Sequence, residues 1–114
     1  MEPIHGTFYF QLTTDGNLIG EYKNQFTPRQ RPECAFRRDG ALADEYQTFV
    51  GEYISTWYEP EQNSAVRAKL SVQPRGEPSR NQFVLTWSNF RGTRLYWGEA
   101  MLNDGQLVGN YWSA

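Results

Sequence analysis

Asp15-Gly16-Asn17-Leu18-Ile19-Gly20-Glu21-Tyr22 returns, without a gap, as Asp104-Gly105-Gln106-Leu107-Val108-Gly109-Asn110-Tyr111. A degraded copy, Asp39-Gly40-Ala41-Leu42-Ala43-Asp44-Glu45-Tyr46, keeps Asp, Gly, Leu, Glu and Tyr. Its second half alone recurs in Phe49-Val50-Gly51-Glu52-Tyr53 and in Tyr96-Trp97-Gly98-Glu99-Ala100. The copies are irregularly spaced, so this is not a solenoid period but one hairpin solution used repeatedly. Asp-Gly suits the positive φ of a tight turn. The strand after it alternates, with Leu18, Gly20 and Tyr22 on one face and Ile19, Glu21 and Lys23 on the other. Glycine inside a strand costs stability. Its recurrence on one face points to sharp bending or to close approach of a neighbouring strand, as a tightly coiled, closing sheet requires.

Working outward, residues 6–14 form the partner of the first repeat, with Phe8, Phe10 and Leu12 on one face. Residues 47–59 read as a long strand in which Phe49, Gly51, Tyr53, Ser55 and Trp57 alternate against Val50, Glu52, Ile54, Thr56 and Tyr58. Residues 65–73 put Ala68, Leu70 and Val72 inward. Residues 82–89 do the same with Phe83, Leu85 and Trp87, and residues 93–102 and 106–113 make the last hairpin. The weak stretch is 24–48, where Pro28 and Pro32 mark an extended loop. Residues 34–38 are a possible strand, and 41–49 either strand or one helical turn, because Leu42, Glu45, Tyr46 and Phe49 have helical spacing. Seven or eight antiparallel strands with short connections predict a single all-β domain over residues 1–114, an up-and-down β-barrel, with a β-sandwich as the alternative. Repeats near both chain ends favour the barrel, since first and last strands are then neighbours.

Composition narrows the function. The 114 residues suffice for one core, and 39% hydrophobic with 21% charged residues suggests neither a disordered chain nor a membrane protein. Aromatics, at 16%, are the outlier and favour strands. A net charge of −2 argues against a nucleic-acid binder, which would carry basic residues for phosphates. No apolar run approaches the roughly 20 residues of a membrane helix, so no membrane insertion is expected. The first residues lack the pattern of a signal peptide, which makes a cytoplasmic location the expectation. Cys34 is the single cysteine and His5 the single histidine, which leaves no internal disulfide, no His-based triad and no His- or Cys-cluster metal site. Cys34 is near Arg37 and Arg38 in sequence, but a plain half-buried thiol is the expected reading. Gly16, Gly40 and Gly105 are turn glycines without the Lys-Ser or Lys-Thr of a phosphate loop. No catalytic residue, metal or cofactor is therefore assigned.

The glycine-x-aromatic signal in an eight-stranded meander resembles the calycins, the barrels that include lipocalins and avidins. Gly20-Glu21-Tyr22-Lys23-Asn24 is similar to the glycine-x-tryptophan-x-asparagine start of the avidin type, whose asparagine binds the ureido group of biotin; the resemblance implicates Asn24. Tyr22 stands in place of the tryptophan, and Gln25-Phe26-Thr27 in place of the aspartate and glycine-serine that follow. The tryptophan-rich C-terminal pattern and the lipocalin threonine-aspartate-tyrosine motif are absent. What the resemblance implies is thus the architecture over most of the chain; the biotin-binding motif is largely missing.

Alternation places Tyr22, Tyr53, Trp57, Trp87 and Tyr111 on the core side. Buried Tyr and Trp need polar partners, and several together make a wall that is apolar in bulk with a few donors. With Asn24 and Ser55 they are the candidate ligand site; Asn89 is a further contributor. A solid aromatic core is the competing expectation. Glu21, Glu52 and Glu99 fall on the opposite face and are expected to pair across strands with Arg67, Lys69, Arg91 or Arg94. Ile19, Val50, Ile54, Tyr58, Trp97, Val108 and Trp112 also face outward, which suggests a partner surface, with Trp97, Trp112, Val108 and Ile54 in a homo-oligomer interface. The expected function is binding of a small apolar or amphipathic molecule by a self-associating barrel. The alternatives are a non-catalytic assembly module with a filled core and, third, an isomerase- or cyclase-type barrel enzyme.

Overall fold

The computed structural model describes residues 3–38, 48–60, 62–76 and 81–114. Eight strands follow one another: β1 (His5–Leu12), β2 (Leu18–Asn24), β3 (Arg31–Arg37), β4 (Gly51–Glu59), β5 (Ser64–Pro74), β6 (Gln82–Ser88), β7 (Arg94–Asn103) and β8 (Gln106–Ser113). Each pairs antiparallel with the next, and β8 returns to β1, so the sheet is a closed up-and-down barrel. The architecture is compatible with a calycin-like fold. No helix occurs among the described residues, and none is long and apolar enough to cross a membrane. Of residues 41–49, expected as strand or helical turn, 41–47 lie outside the described residues, and 48 and 49 are in neither a strand nor a helix.

The alternation read from the sequence sets the interior. Phe8 and Phe10 of β1, Leu18 and Tyr22 of β2, Tyr53 and Trp57 of β4, and Ala68, Leu70 and Val72 of β5 are buried. Phe83, Leu85 and Trp87 of β6, and Leu107 and Tyr111 of β8, complete the core. The repeat glycines sit where strands approach too closely for a side chain. A Cβ on Gly20 would strike the carbonyl oxygen of Tyr9 on β1, and one on Gly109 the carbonyl oxygen of Glu99 on β7. These contacts belong to the tight coil that closure imposes.

β3 departs from expectation. It begins at Arg31 and includes Pro32, which the sequence placed in a loop. Proline fits because β3 pairs with β4 only from Glu33 onward, so its missing N–H falls where no strand on that side needs it. The inward face of β3 is Glu33, Ala35 and Arg37, and the outward face carries Cys34 and Phe36. Cross-strand register fixes this choice: Leu18, buried, lies opposite Ala35. Cys34 is exposed rather than half-buried, and faces away from Arg37.

One barrel end is solid. Phe10, Leu18, Leu70, Leu85 and Leu107 fill it without solvent contact. Arg37 closes it, donating to the carbonyl oxygens of Gly16 (2.8 Å), Val50 (2.9 Å) and Thr48 (2.9 Å) and to the Tyr53 hydroxyl (2.7 Å). The outward glutamates have partners that the sequence did not single out. Glu21 accepts from Tyr9, Glu52 from Ser71 and Gln73, and Glu99 pairs with Arg75 at 2.9 Å.

Candidate functional site: a cavity at the open end

The opposite end of the barrel is hollow. A cavity of about 530 Å³ opens there, lined by Ile4, Phe8, Tyr22, Trp57, Trp87, Tyr96 and Tyr111, with Asn24, Phe26, Thr27, Arg31, Glu33, Glu59 and Gln62 contributing polar and rim groups. Interior space is thus neither wholly cavity nor wholly core: the aliphatic end is packed and the aromatic end open.

Aromatic rings support one another around the wall. Phe8 meets Trp87 edge-on at 5.5 Å, Trp87 lies 6.2 Å from Tyr111, and Tyr96 lies 5.6 Å from Tyr111 and 6.2 Å from Trp57. Edge-to-face pairs of this kind add about 0.5–1.5 kcal/mol each beyond area burial, and they fix ring orientation. Asn24 ends β2 and organises the β2–β3 loop. Its side-chain oxygen accepts from the Phe26 N–H (2.8 Å), its own N–H donates to Thr27 Oγ1 (3.0 Å), and its amide nitrogen donates to the Tyr111 hydroxyl (3.0 Å). Trp57 Nε1 donates to Glu59 Oε2 at 3.1 Å.

Glu33 is the group the sequence reading passed over. Its carboxyl is buried, and its Oε2 accepts both the Ser55 hydroxyl (2.6 Å) and Trp87 Nε1 (2.8 Å). Burial pushes it up from the ordinary 4.5 to about 7, against the two hydrogen bonds, which pull it down. Burial likewise raises the hydroxyls of Tyr111 and Tyr22; beside Tyr22, Arg31 pulls the other way.

Of the sequence-selected ligand residues, Tyr22, Asn24, Trp57, Trp87 and Tyr111 share the cavity wall. Ser55 stands behind it, holding Glu33. Tyr53 is elsewhere: its hydroxyl donates to the Phe49 carbonyl at 2.7 Å within the closed end, and Arg37 stacks over its ring. Position along a strand, which alternation does not report, separates Tyr53 from Trp57. Asn89 is committed to the β6–β7 turn, accepting from the N–H groups of Arg91 and Thr93. Among the lining residues that went unselected are Phe8 and Tyr96, which parity could have supplied, and Glu33, which parity of β3 alone could not. Among the described residues no group of His, Cys, Asp and Glu could hold a metal ion.

Outside, Trp97 of β7 and Trp112 of β8 are directly opposite and stack at 4.6 Å. Val108 lies on the same strand as Trp112, and Ile54 lies on β4, beside the exposed Phe36. Trp97, Trp112 and Val108 on β7 and β8 thus lie on the opposite side of the eight-stranded barrel from Ile54 and Phe36 on β4 and β3.

No family model, no curated protein and no solved structure matches this chain.

Proposed function

We propose that this barrel binds a small, partly apolar molecule in the cavity at its open end, as a calycin-like carrier or receptor module. The observation that carries this is the division of the interior. Aliphatic side chains and Arg37 seal one end, while aromatic rings at the other surround about 530 Å³ and leave it open to solvent. A cavity of that size suits a ligand of one or two fused rings, within the usual range for small-molecule sites. Its wall offers apolar faces for affinity and the Tyr111 hydroxyl, the Asn24 amide and the Glu33 carboxyl for orientation.

Tryptophan fluorescence titrated with 1-naphthalenemethanol tests this. A saturable change in the wild-type protein, abolished in Trp57→Ala, is expected. No saturable change, or one that survives Trp57→Ala, overturns the proposal.

Self-association belongs to a second reading, supported by the stacked Trp97–Trp112 pair on the outer face of β7 and β8. A second copy is the simplest cover for it, and the dependence of sedimentation on concentration is its test.

A further inference from the structure

We infer that the ligand class of the cavity is an organic cation, an aromatic or apolar amine, whose ammonium group is received by the free oxygen of Glu33. This rests on the cavity being a ligand site and adds the chemistry that selects among ligands.

Glu33 is a buried carboxyl in the cavity wall, and its two oxygens are used unequally. Oε2 accepts from Ser55 and from Trp87, while nothing among the described residues donates to Oε1. No side-chain oxygen or nitrogen among them is sealed away without a partner, so Oε1 opens into the cavity. An ionised carboxylate only accepts, and what it lacks there is an N–H donor, best a charged one.

The surroundings favour a positive partner. Trp57 of β4, Trp87 of β6, Tyr96 of β7, and Tyr22 and Tyr111 of β2 and β8 present π-faces or edges around the same space, and aromatic faces attract ammonium groups. The ionisable groups of the wall are Glu33 and Glu59, Arg31 of β3, and the tyrosine hydroxyls of Tyr22, Tyr96 and Tyr111. Arg31 is two residues from Glu33 on the same face and acts on the Tyr22 hydroxyl, while what shifts Glu33 is burial and its bonds to Ser55 and Trp87. Glu33 thus sits in the wall as an acid held by two neutral donors. An ammonium would complete that site and expel the proton that burial otherwise holds on the carboxyl. Binding should therefore weaken as pH falls and Glu33 is protonated, whereas the alkylamine stays charged throughout.

The test compares 1-naphthylmethylamine with its neutral counterpart 1-naphthalenemethanol and the anion 1-naphthoate, by calorimetry on the full chain. At about pH 8 the amine should bind at least about tenfold more tightly than the alcohol, a typical gain for a charge-assisted bond, and the naphthoate should not bind. In Glu33→Gln the amine preference should vanish, amine and alcohol then binding alike, and an unchanged circular dichroism spectrum shows that the variant is folded. In wild type, amine affinity should fall by about tenfold per unit below the Glu33 titration, with alcohol affinity flat. Equal affinity for amine and alcohol, a preference that persists in Glu33→Gln, or pH-independent amine binding overturns the cation inference and leaves ligand binding standing. Failure of all three compounds to bind overturns both.

Discussion

Trp87 Nε1 donates to Glu33 Oε2 at 2.8 Å, from β6 to β3, strands that are not neighbours in the sheet. The bond therefore crosses the barrel interior. It marks the boundary between the packed half and the hollow half, because Trp87 and Glu33 both line the cavity while Leu85, the next inward residue of β6, is buried in the solid core. A buried carboxyl held by an indole and a hydroxyl is costly unless its hydrogen bonds are complete.

That cost has a pH signature. Glu33 is raised from 4.5 to about 7 by burial. Between those values the unfolded chain has released the proton and the folded one retains it, so stability falls as pH rises through this window and levels off above it. The full loss is on the order of 3 kcal/mol. Urea midpoints measured from about pH 4.5 to about pH 8 should decline in wild type, and the decline attributable to this group should be absent in Glu33→Gln. Parallel pH profiles for the two proteins would show that Glu33 titrates normally.

Arg37 should matter for stability and not for ligands. It satisfies the carbonyls of Gly16, Thr48 and Val50 at the closed end, away from the cavity. Arg37→Met removes the donor to those carbonyls and to the Tyr53 hydroxyl oxygen, at about 1–3 kcal/mol for each acceptor that water cannot reach. Chemical denaturation should show a loss of about 3 kcal/mol or more, with Arg37→Lys restoring little because it lacks the planar fork. An Arg37→Met protein as stable as wild type would mean that the closed end is wet.

Gly20 and Gly109 should resist substitution. At both positions the missing Cβ is replaced by a neighbouring strand's carbonyl oxygen. Gly20→Val and Gly109→Val should each cost on the order of 1–3 kcal/mol by overpacking, read as lowered denaturation midpoints. Unchanged midpoints would mean that the coil can relax at no cost.

The Trp97–Trp112 stack tests the outer face. If it is covered by a second copy, replacing both residues with Ser should shift sedimentation toward a smaller species. A wild-type protein that is monomeric at every concentration would contradict coverage by a second copy.

Much of the barrel was legible because burial and alternation agree. Phe8 and Phe10, Leu70 and Val72, and Leu85 and Trp87 occupy the faces that periodicity gives them. β3 was obscure because its polarity is inverted: Glu33 and Arg37 point inward, while Phe36 is 68% exposed. An apolar-inward rule applied to Cys34 and Phe36 turns that strand over, and with it hides the carboxyl of the site. What decides its orientation is pairing with Leu18 across to β2, a non-local fact. Tyr53 and Trp57 show the other gap. They share a face and differ only in depth along the barrel, so one serves the seal and the other the cavity.

The most direct test of the ligand site uses the protein's own four tryptophans. Two of them, Trp57 and Trp87, line the cavity, and Trp97 and Trp112 stack outside. In a nitrogen-15 correlation spectrum titrated with 1-naphthalenemethanol, the indole N–H signals of Trp57 and Trp87 should move saturably and together, while those of Trp97 and Trp112 stay in place. Stationary Trp57 and Trp87 signals, or movement confined to the outer pair, would contradict a ligand site inside the barrel.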